Sequence, residues 1–284
     1  VPEGHTLHRL AGELTTVFGG RTVRVGSPQG RFAESAALLD GSELLGAESW
    51  GKHLFVEFPG ERYVHVHLGL YGKFPVHHEV AEVPPPVGQV RLRLVAPPVG
   101  VRPAAYADLR GATTCELLTR AGRDAVVERS GPDPIRPEAD PLRAWERIRR
   151  SRAPIGGLLM DQTVLAGVGN IYRAEVLFRH RLHPLRPGNT LRVGQFTALW
   201  EDLVVLMADG VRTGRIDTVR PEHLPEAMGR EPRADKHGGE VYVYRRDGQP
   251  CHVCGTTVRT EVLQGRNLFW CPQCQRRFRS RAVQ

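Results

Sequence analysis

The sequence predicts an α+β chain of several domains: an N-terminal β-sandwich with a leading helix, a helical domain, and a small C-terminal ribbon stapled by metal. Three observations predict this. Residues 21–118 run in short alternating stretches (RTVRV, LFVEF, RYVHVHL, QVRLRLV) broken by Gly, Pro and Asp, as the antiparallel strands of a sandwich or barrel do. From about 140 to 215 the apolar spacing turns helical, in PLRAWERIRRS, GGLLMDQ, NIYRAEVLFRH and VGQFTALWEDLVVLMADGVRTG. Four of the five cysteines then form two CxxC pairs near the C-terminus.

Each element has its own signal. In residues 4–17, Leu7, Leu10, Ala11, Leu14 and Val17 share one helical face, and Gly19-Gly20 stops the helix. The Pro-rich piece from Val83 to Val87 reads as a loop between strands, and ERSGPDPIR (129–137) as a linker. Residues 216–240 are polar with Pro and Gly and read as a mobile loop; VYVYRR (241–246) looks like a strand before the cysteines. No internal repeat or low-complexity tract is present.

The bulk numbers bound the function. With 284 residues, 40% of them hydrophobic, the chain can build two packed domains or one large one. No stretch approaches the ~18 apolar residues of a membrane span. The opening VPEGHTLHRL lacks a basic start followed by an apolar run, so a cytoplasmic protein is expected, with a monomer as the prior. The net charge of +8 favours a polyanionic partner without establishing one. Only Lys52, Lys73 and Lys236 are lysines among 39 basic residues, so a lysine here is not filler.

Cys251, Cys254, Cys271 and Cys274 suit one tetrahedral structural zinc. Two turns bring the thiolates together and TTVRTEVLQGRNLFW between them makes a two-stranded ribbon. Four unligated thiols would leave so small a module without a staple. Arg259, Arg266, Arg276, Arg277, Arg279 and Arg281 face a single acid, Glu261, which suits a phosphate backbone or a solvated basic tail. Cys115 stands alone.

In LLMDQTVLAGVGNIYRAEVLF (158–178), Ala166 to Gly169 form a Gly-rich turn and Asn170 is a natural N-cap for the helix after it. Exposed amides at such a turn bind anions. The stretch fits equally a helical hairpin packed through glycine. Pro2-Glu3 alone reads as an ordinary helix start.

Together these pieces say more. Pro2-Glu3-Gly4, Gly51-Lys52, His67-Leu68-Gly69-Leu70-Tyr71-Gly72, the 158–178 run and the terminal ribbon resemble, in order and over nearly the whole chain, the formamidopyrimidine-DNA glycosylase/endonuclease VIII family. Leu70-Tyr71 and the PEGHTLHRLA opening are most similar to actinobacterial members of the endonuclease VIII branch. The resemblance implies a β-sandwich catalytic domain over 2–125, a helix-two-turn-helix domain over 135–225 and a zinc finger over 240–279.

It also implies a bifunctional DNA glycosylase/AP lyase of base excision repair that excises oxidised bases, mainly pyrimidines, by β,δ-elimination. Its partner is double-stranded DNA with a damaged base or abasic site, with no membrane involved. Pro2, freed by removal of residue 1, matches the nucleophile; Val1 fits a GTG start codon written literally. Glu3 matches the general acid/base and Lys52 the catalytic lysine. Gly69, Leu70 and Tyr71 match the loop that fills the space of an extruded base. Asn170, with the amides of Gly167 and Gly169, and Arg266 match phosphate contacts; Glu175 is a supporting acid. Arg110 sits near the place of an orphan-base arginine in a segment that otherwise departs from the family, so that role is not carried over. His5 and His8 lie near the nucleophile, on the helix surface or facing DNA. The alternatives are a glycosylase for oxidised purines (8-oxoguanine, formamidopyrimidine), a non-catalytic zinc-ribbon DNA-binding protein, and a zinc-ribbon protein of transcription or translation.

Overall fold

A computed structural model describes residues 2–234 and 239–278. Val1, Lys236 and the tail arginines Arg279 and Arg281 lie outside the described residues. The chain forms two compact units, Val1–Arg129 and Ser130–Gln284.

Unit 1 opens with α1 (Gly4–Phe18). Then come β1 (Arg21–Gly26), α2 (Ala33–Leu39), β2 (Ser42–Leu44), β3 (Gly46–Trp50), β4 (His53–Phe58) and β5 (Arg62–His67). β6 (Val76–Val80), β7 (Val90–Ala96), β8 (Ala104–Arg110), β9 (Thr114–Thr119) and α3 (Arg120–Arg129) complete it. The strands build two antiparallel sheets, ordered β2-β1-β7-β8-β6 and β3-β4-β5-β9. The expected alternation appears directly in β1, where Arg21, Val23 and Val25 are buried and Thr22 and Arg24 exposed. Leu7, Leu10, Leu14 and Phe18 of α1 join Leu54, Val56, Phe58, Val64 and Val66 of one sheet and Leu92, Leu94 and Leu109 of the other in one core. Each such side chain stabilises the fold by roughly 1.5–3 kcal/mol on burial. Two elements, α2 and α3, interrupt or follow the strands where the pattern showed none.

Unit 2 contains α4 (Pro141–Arg150), α5 (Ile155–Leu158), α6 (Asn170–Arg179), α7 (Val193–Thr213) and α8 (Pro225–Met228), followed by the hairpin β10 (Arg259–Leu263) and β11 (Arg266–Trp270). α4 starts where Asp140 accepts from the Leu142 amide and Pro141 fills the first turn. α7 ends at Gly214, in the left-handed region at φ 73°. Ile148, Tyr172, Phe178, Leu199 and Leu203 of the helices share one core with Tyr242, Cys251, Phe269 and Cys271. No helix among the described residues is long and apolar enough to cross a membrane.

Three local expectations are corrected. The 129–137 segment does not behave as a linker: Ser130 to Pro134 are buried. The Gly131 amide donates to Gln162 O and the Pro132 carbonyl accepts from the Ala166 amide. A Cβ on Gly131 would sit 2.4 Å from the Val164 backbone, so the close approach needs glycine. VYVYRR is not a strand: Val241 to Tyr244 are buried, and the amides of Tyr242, Val243 and Tyr244 point at a carboxylate instead of a neighbouring strand. The described part of 216–240 is pinned, with Glu240 accepting from Arg230 at 2.6 Å and from the Arg233 amide at 2.6 Å.

Candidate functional site

In unit 1, Pro2 and Glu3 lead directly into α1, and Glu3 occupies its N-cap position. The Glu3 side chain is buried (1% exposed) yet makes no capping bond to the helix amides. A carboxylate here is stabilised by the positive end of the helix dipole. His5, the second residue of α1, is also buried. Desolvation first, then the charge of His8, lower its pKa to about 4, so its ring is neutral at pH 7. Lys52 sits in the β3–β4 turn after Gly51, whose φ of 58° makes the turn possible.

The turn after β5 carries Gly69, Leu70 and Tyr71. Gly72 N donates to Leu68 O at 2.9 Å, and Gly69 adopts φ 66° with Thr113 so close that an added Cβ would lie 2.4 Å from Cγ2. This tight turn leaves Leu70 39% and Tyr71 84% exposed, so neither packs in the core. Apolar side chains held out in water on a rigid turn suit insertion between bases. Arg110 is engaged within the unit: it ion-pairs with buried Asp108 at 2.9 Å and donates to Val87 O.

In unit 2 the Gly-rich turn is latched by a residue the sequence reading missed. Gln162 Nε2 donates to Met160 O and Val168 O, and its Oε1 accepts from the Gly167 amide at 3.0 Å. That removes the Gly167 amide from the expected phosphate set; Gly167 contributes its φ of 85° instead. The N-cap of α6 is Gly169, not Asn170, which is the first helical residue. Asn170 Oδ1 accepts from Arg173, so its Nδ2 hydrogens remain to donate outward. The same buried guanidinium donates to Gly156 O and, at 2.9 Å, to Asn267 O on β11, tying the turn to the ribbon. At the ribbon tip, exposed Arg266 pairs with Leu263 across a turn of two positive-φ residues, Gln264 and Gly265. Arg266, Arg173, Gly157 and Gln264 line a shallow cavity of about 470 Å³.

Glu175 supports this arrangement. Its carboxylate, fully buried, accepts from Thr218 Oγ1 and the Tyr242 amide at 2.6 Å, and from the Val243 and Tyr244 amides at 2.9 Å.

The sulfurs of Cys251, Cys254, Cys271 and Cys274 lie within 4.8 Å of one another. Tetrahedral zinc with Zn–S bonds of about 2.3 Å needs sulfurs roughly 3.8 Å apart, so the set fits one structural ion. Burial pushes the Cys251 thiol up to about 11; the cation's charge is what makes such a thiol a ligand. Cys115, buried in unit 1 and raised to about 12 by desolvation, is an inert thiol. Because Cys251 and Cys271 belong to the core of unit 2, stripping zinc with a strong chelator is expected to lower the melting temperature and abolish DNA binding. Calorimetry and a DNA-binding titration before and after zinc restoration check this.

The comparisons cover all three segments. The formamidopyrimidine-DNA glycosylase N-terminal domain matches residues 1–115, the formamidopyrimidine-DNA glycosylase H2TH domain 130–221, and the zinc finger found in FPG and IleRS 248–277. Endonuclease 8 1 of Mycobacterium tuberculosis is 52% identical over 97% of this chain and all of its own. Formamidopyrimidine-DNA glycosylase of Thermomicrobium roseum is 30% identical over 97% of this chain and 98% of its own. Among solved structures, the Lactococcus lactis Fpg complex with N7-benzyl-Fapy-dG DNA superposes with a TM-score of 0.76 at 23% identity, covering 97% of this chain and all of that one. Its complex with DNA containing an AP site gives 0.76 at 22%. At that identity these two structures speak to the fold.

Proposed function

The chain belongs to the formamidopyrimidine-DNA glycosylase/endonuclease 8 family, and from that premise we propose that it is a bifunctional DNA glycosylase and AP lyase of base excision repair acting mainly on oxidised pyrimidines. The observation that carries the reading is the placement of Glu3, a buried carboxylate beside Pro2 at the head of α1. Once residue 1 is removed, the Pro2 secondary amine attacks C1′ of the damaged nucleoside and the base departs, leaving an iminium. Glu3 protonates the sugar ring oxygen. Lys52 holds the phosphate beside the lesion and assists ring opening. The C2′ proton is then acidic, and its loss expels the 3′ phosphate; a second elimination releases the 5′ side. Leu70 and Tyr71, on the turn set by Gly69, fill the gap in the stack. Gly169, Asn170 and Arg266 grip backbone phosphates, with Gly167 shaping their turn.

The substrate is duplex DNA bearing a damaged base or abasic site, met by a monomer in the cytoplasm. The 52% match to an endonuclease 8 against 30% to a formamidopyrimidine-DNA glycosylase favours pyrimidine lesions. Matched duplexes carrying thymine glycol or 8-oxoguanine test this under single turnover. Excision of thymine glycol at least tenfold faster is expected; the reverse order would make the chain an oxidised-purine glycosylase.

A further inference from the structure

The sheet of β4, β5 and β9 carries a line of polar side chains that the chemistry above leaves unused. His53 Nδ1 lies 2.9 Å from His65 Nε2, and His65 Nδ1 lies 2.9 Å from Glu116 Oε1. Strand register places them, since His65 pairs directly with Glu116 on one side and with Phe55 on the other. The Glu116 side chain is 51% exposed and that of His65 6%, so the line starts at solvent and passes through a buried ring. Its other end, His53, is half-buried and follows Lys52 in the chain.

The contacts dictate the proton positions. A carboxylate only accepts, so His65 Nδ1 carries a hydrogen. A neutral His65 then offers an Nε2 lone pair, His53 Nδ1 donates to it, and His53 Nε2 is left with a lone pair. No hydrogen-bond partner for His53 Nε2 is present among the described residues. The charges acting most on His53 are those of His65 and His67 on β5, Arg129 on α3 and Lys52. The Glu48–Arg123 ion pair between β3 and α3 flanks Phe55, which stacks on His65. Desolvation and these neighbours hold the His53 pKa near 3, so a proton reaching it does not stay there. His67 is a separate member, its Nδ1 accepting from the Gly69 amide at 3.1 Å.

Resting on the lyase reading, we propose that Glu116–His65–His53 is the proton acceptor for strand elimination. The proton lost from C2′ of the imine, carried by water, bonds to His53 Nε2. The His53 Nδ1–H bond breaks as a hydrogen passes to His65 Nε2. The positive charge rests on His65 against the Glu116 carboxylate, and the line returns its proton by the reverse sequence when water re-enters. One N–H bond forms for each bond broken. His53 and His65 act through water and through each other, so they are relay residues, not groups on the sugar.

The test is single-turnover cleavage of a preformed abasic duplex from pH 5 to 9 by the full chain. Wild type is compared with His53→Gln, Glu116→Gln, and His53→Ala with and without added imidazole. DNA affinity and the yield of borohydride-trapped imine are expected to stay unchanged. The elimination rate is expected to fall about tenfold to a hundredfold in His53→Gln, a usual loss for general acid–base assistance. Imidazole is expected to restore His53→Ala. Removing the Glu116 charge takes away the partner of the charged His65 ring, so Glu116→Gln is expected to lower the elimination rate across the whole range. Because Glu116 is half exposed, that variant keeps the fold readable even where a His53 variant does not. Profiles of His53→Gln and Glu116→Gln that superpose on wild type, or no rescue by imidazole, overturn the relay. A wild type that neither traps nor cuts overturns the lyase reading and the relay with it.

Discussion

With Pro2 replaced by glycine, borohydride is expected to trap no adduct on thymine glycol or abasic DNA, and strand cleavage is expected to fall at least a hundredfold. The magnitude follows from covalent catalysis: without the imine, the C2′ proton is not acidic and neither phosphate is a competent leaving group. An α-amine has a pKa of about 7.7–8.0, against ~10.4 for a lysine, so its free base is far more populated at neutral pH. Proline adds a second advantage, because a secondary amine gives an iminium that keeps its charge without a further proton. Glu3→Gln separates the two half-reactions. It is expected to lose base excision, which needs a proton delivered to the sugar, while retaining part of the cutting at preformed abasic sites. Gel analysis of trapped and cleaved oligonucleotides checks both variants. A Pro2→Gly protein that traps as well as wild type would remove the nucleophile assignment.

Replacing Glu175 by alanine is expected to destabilise unit 2 by about 3–5 kcal/mol, the range for removing one side of a buried charged network. The carboxylate answers three consecutive amides and the Thr218 hydroxyl in a site with no access to water. Alanine strands three amides at once, while the Thr218 hydroxyl keeps Glu240 O as an acceptor. It also frees the backbone of Tyr242–Tyr244 from α6. Denaturant unfolding, with zinc retention followed in parallel, measures the effect. A loss under about 1 kcal/mol would mean that the amides find other partners. Glu175→Gln is expected to be milder, since one acceptor oxygen survives.

These two residues mark what the sequence could and could not disclose. Strands with one wet face, such as β1, write their alternation plainly, and the apolar stripe of α1 is equally open to reading. The four cysteines declare their ion because thiols at that spacing in so small a ribbon have little other use. α3 was hidden because RAGRDAVVER buries only Val126, leaving almost no apolar face to detect. VYVYRR has the composition of a strand, but its amides are satisfied by a carboxylate more than sixty residues earlier, a partner no local pattern contains. The buried 130–134 segment was misread for the opposite reason: Gly and Pro usually mark exposed chain, and here they permit close packing against the 162–166 turn.

The same division holds at the candidate site. Pro2, Glu3, Lys52 and Arg266 stood out by position within a family pattern, while the residues that hold their surroundings in place did not. Gln162 takes the Gly167 amide, and Arg173 binds both Asn170 and the ribbon backbone. Arg173 reaches a ribbon strand far along the chain, and Gln162 folds back on a turn whose shape no periodicity encodes. Glu116, His65 and His53 come together only through strand register, although the HVH of β5 offered a hint. A histidine inside an alternating strand asks what faces it.

The most direct test of the central claim is to locate the covalent bond. Borohydride-trapped complex formed on abasic DNA is digested with nuclease and protease, and the peptide bearing the residual deoxyribose is sequenced by tandem mass spectrometry. The account predicts the sugar on the nitrogen of Pro2, at the head of a peptide that has lost residue 1. Sugar on Lys52, or a working enzyme whose Pro2 nitrogen is still joined to Val1, would contradict it.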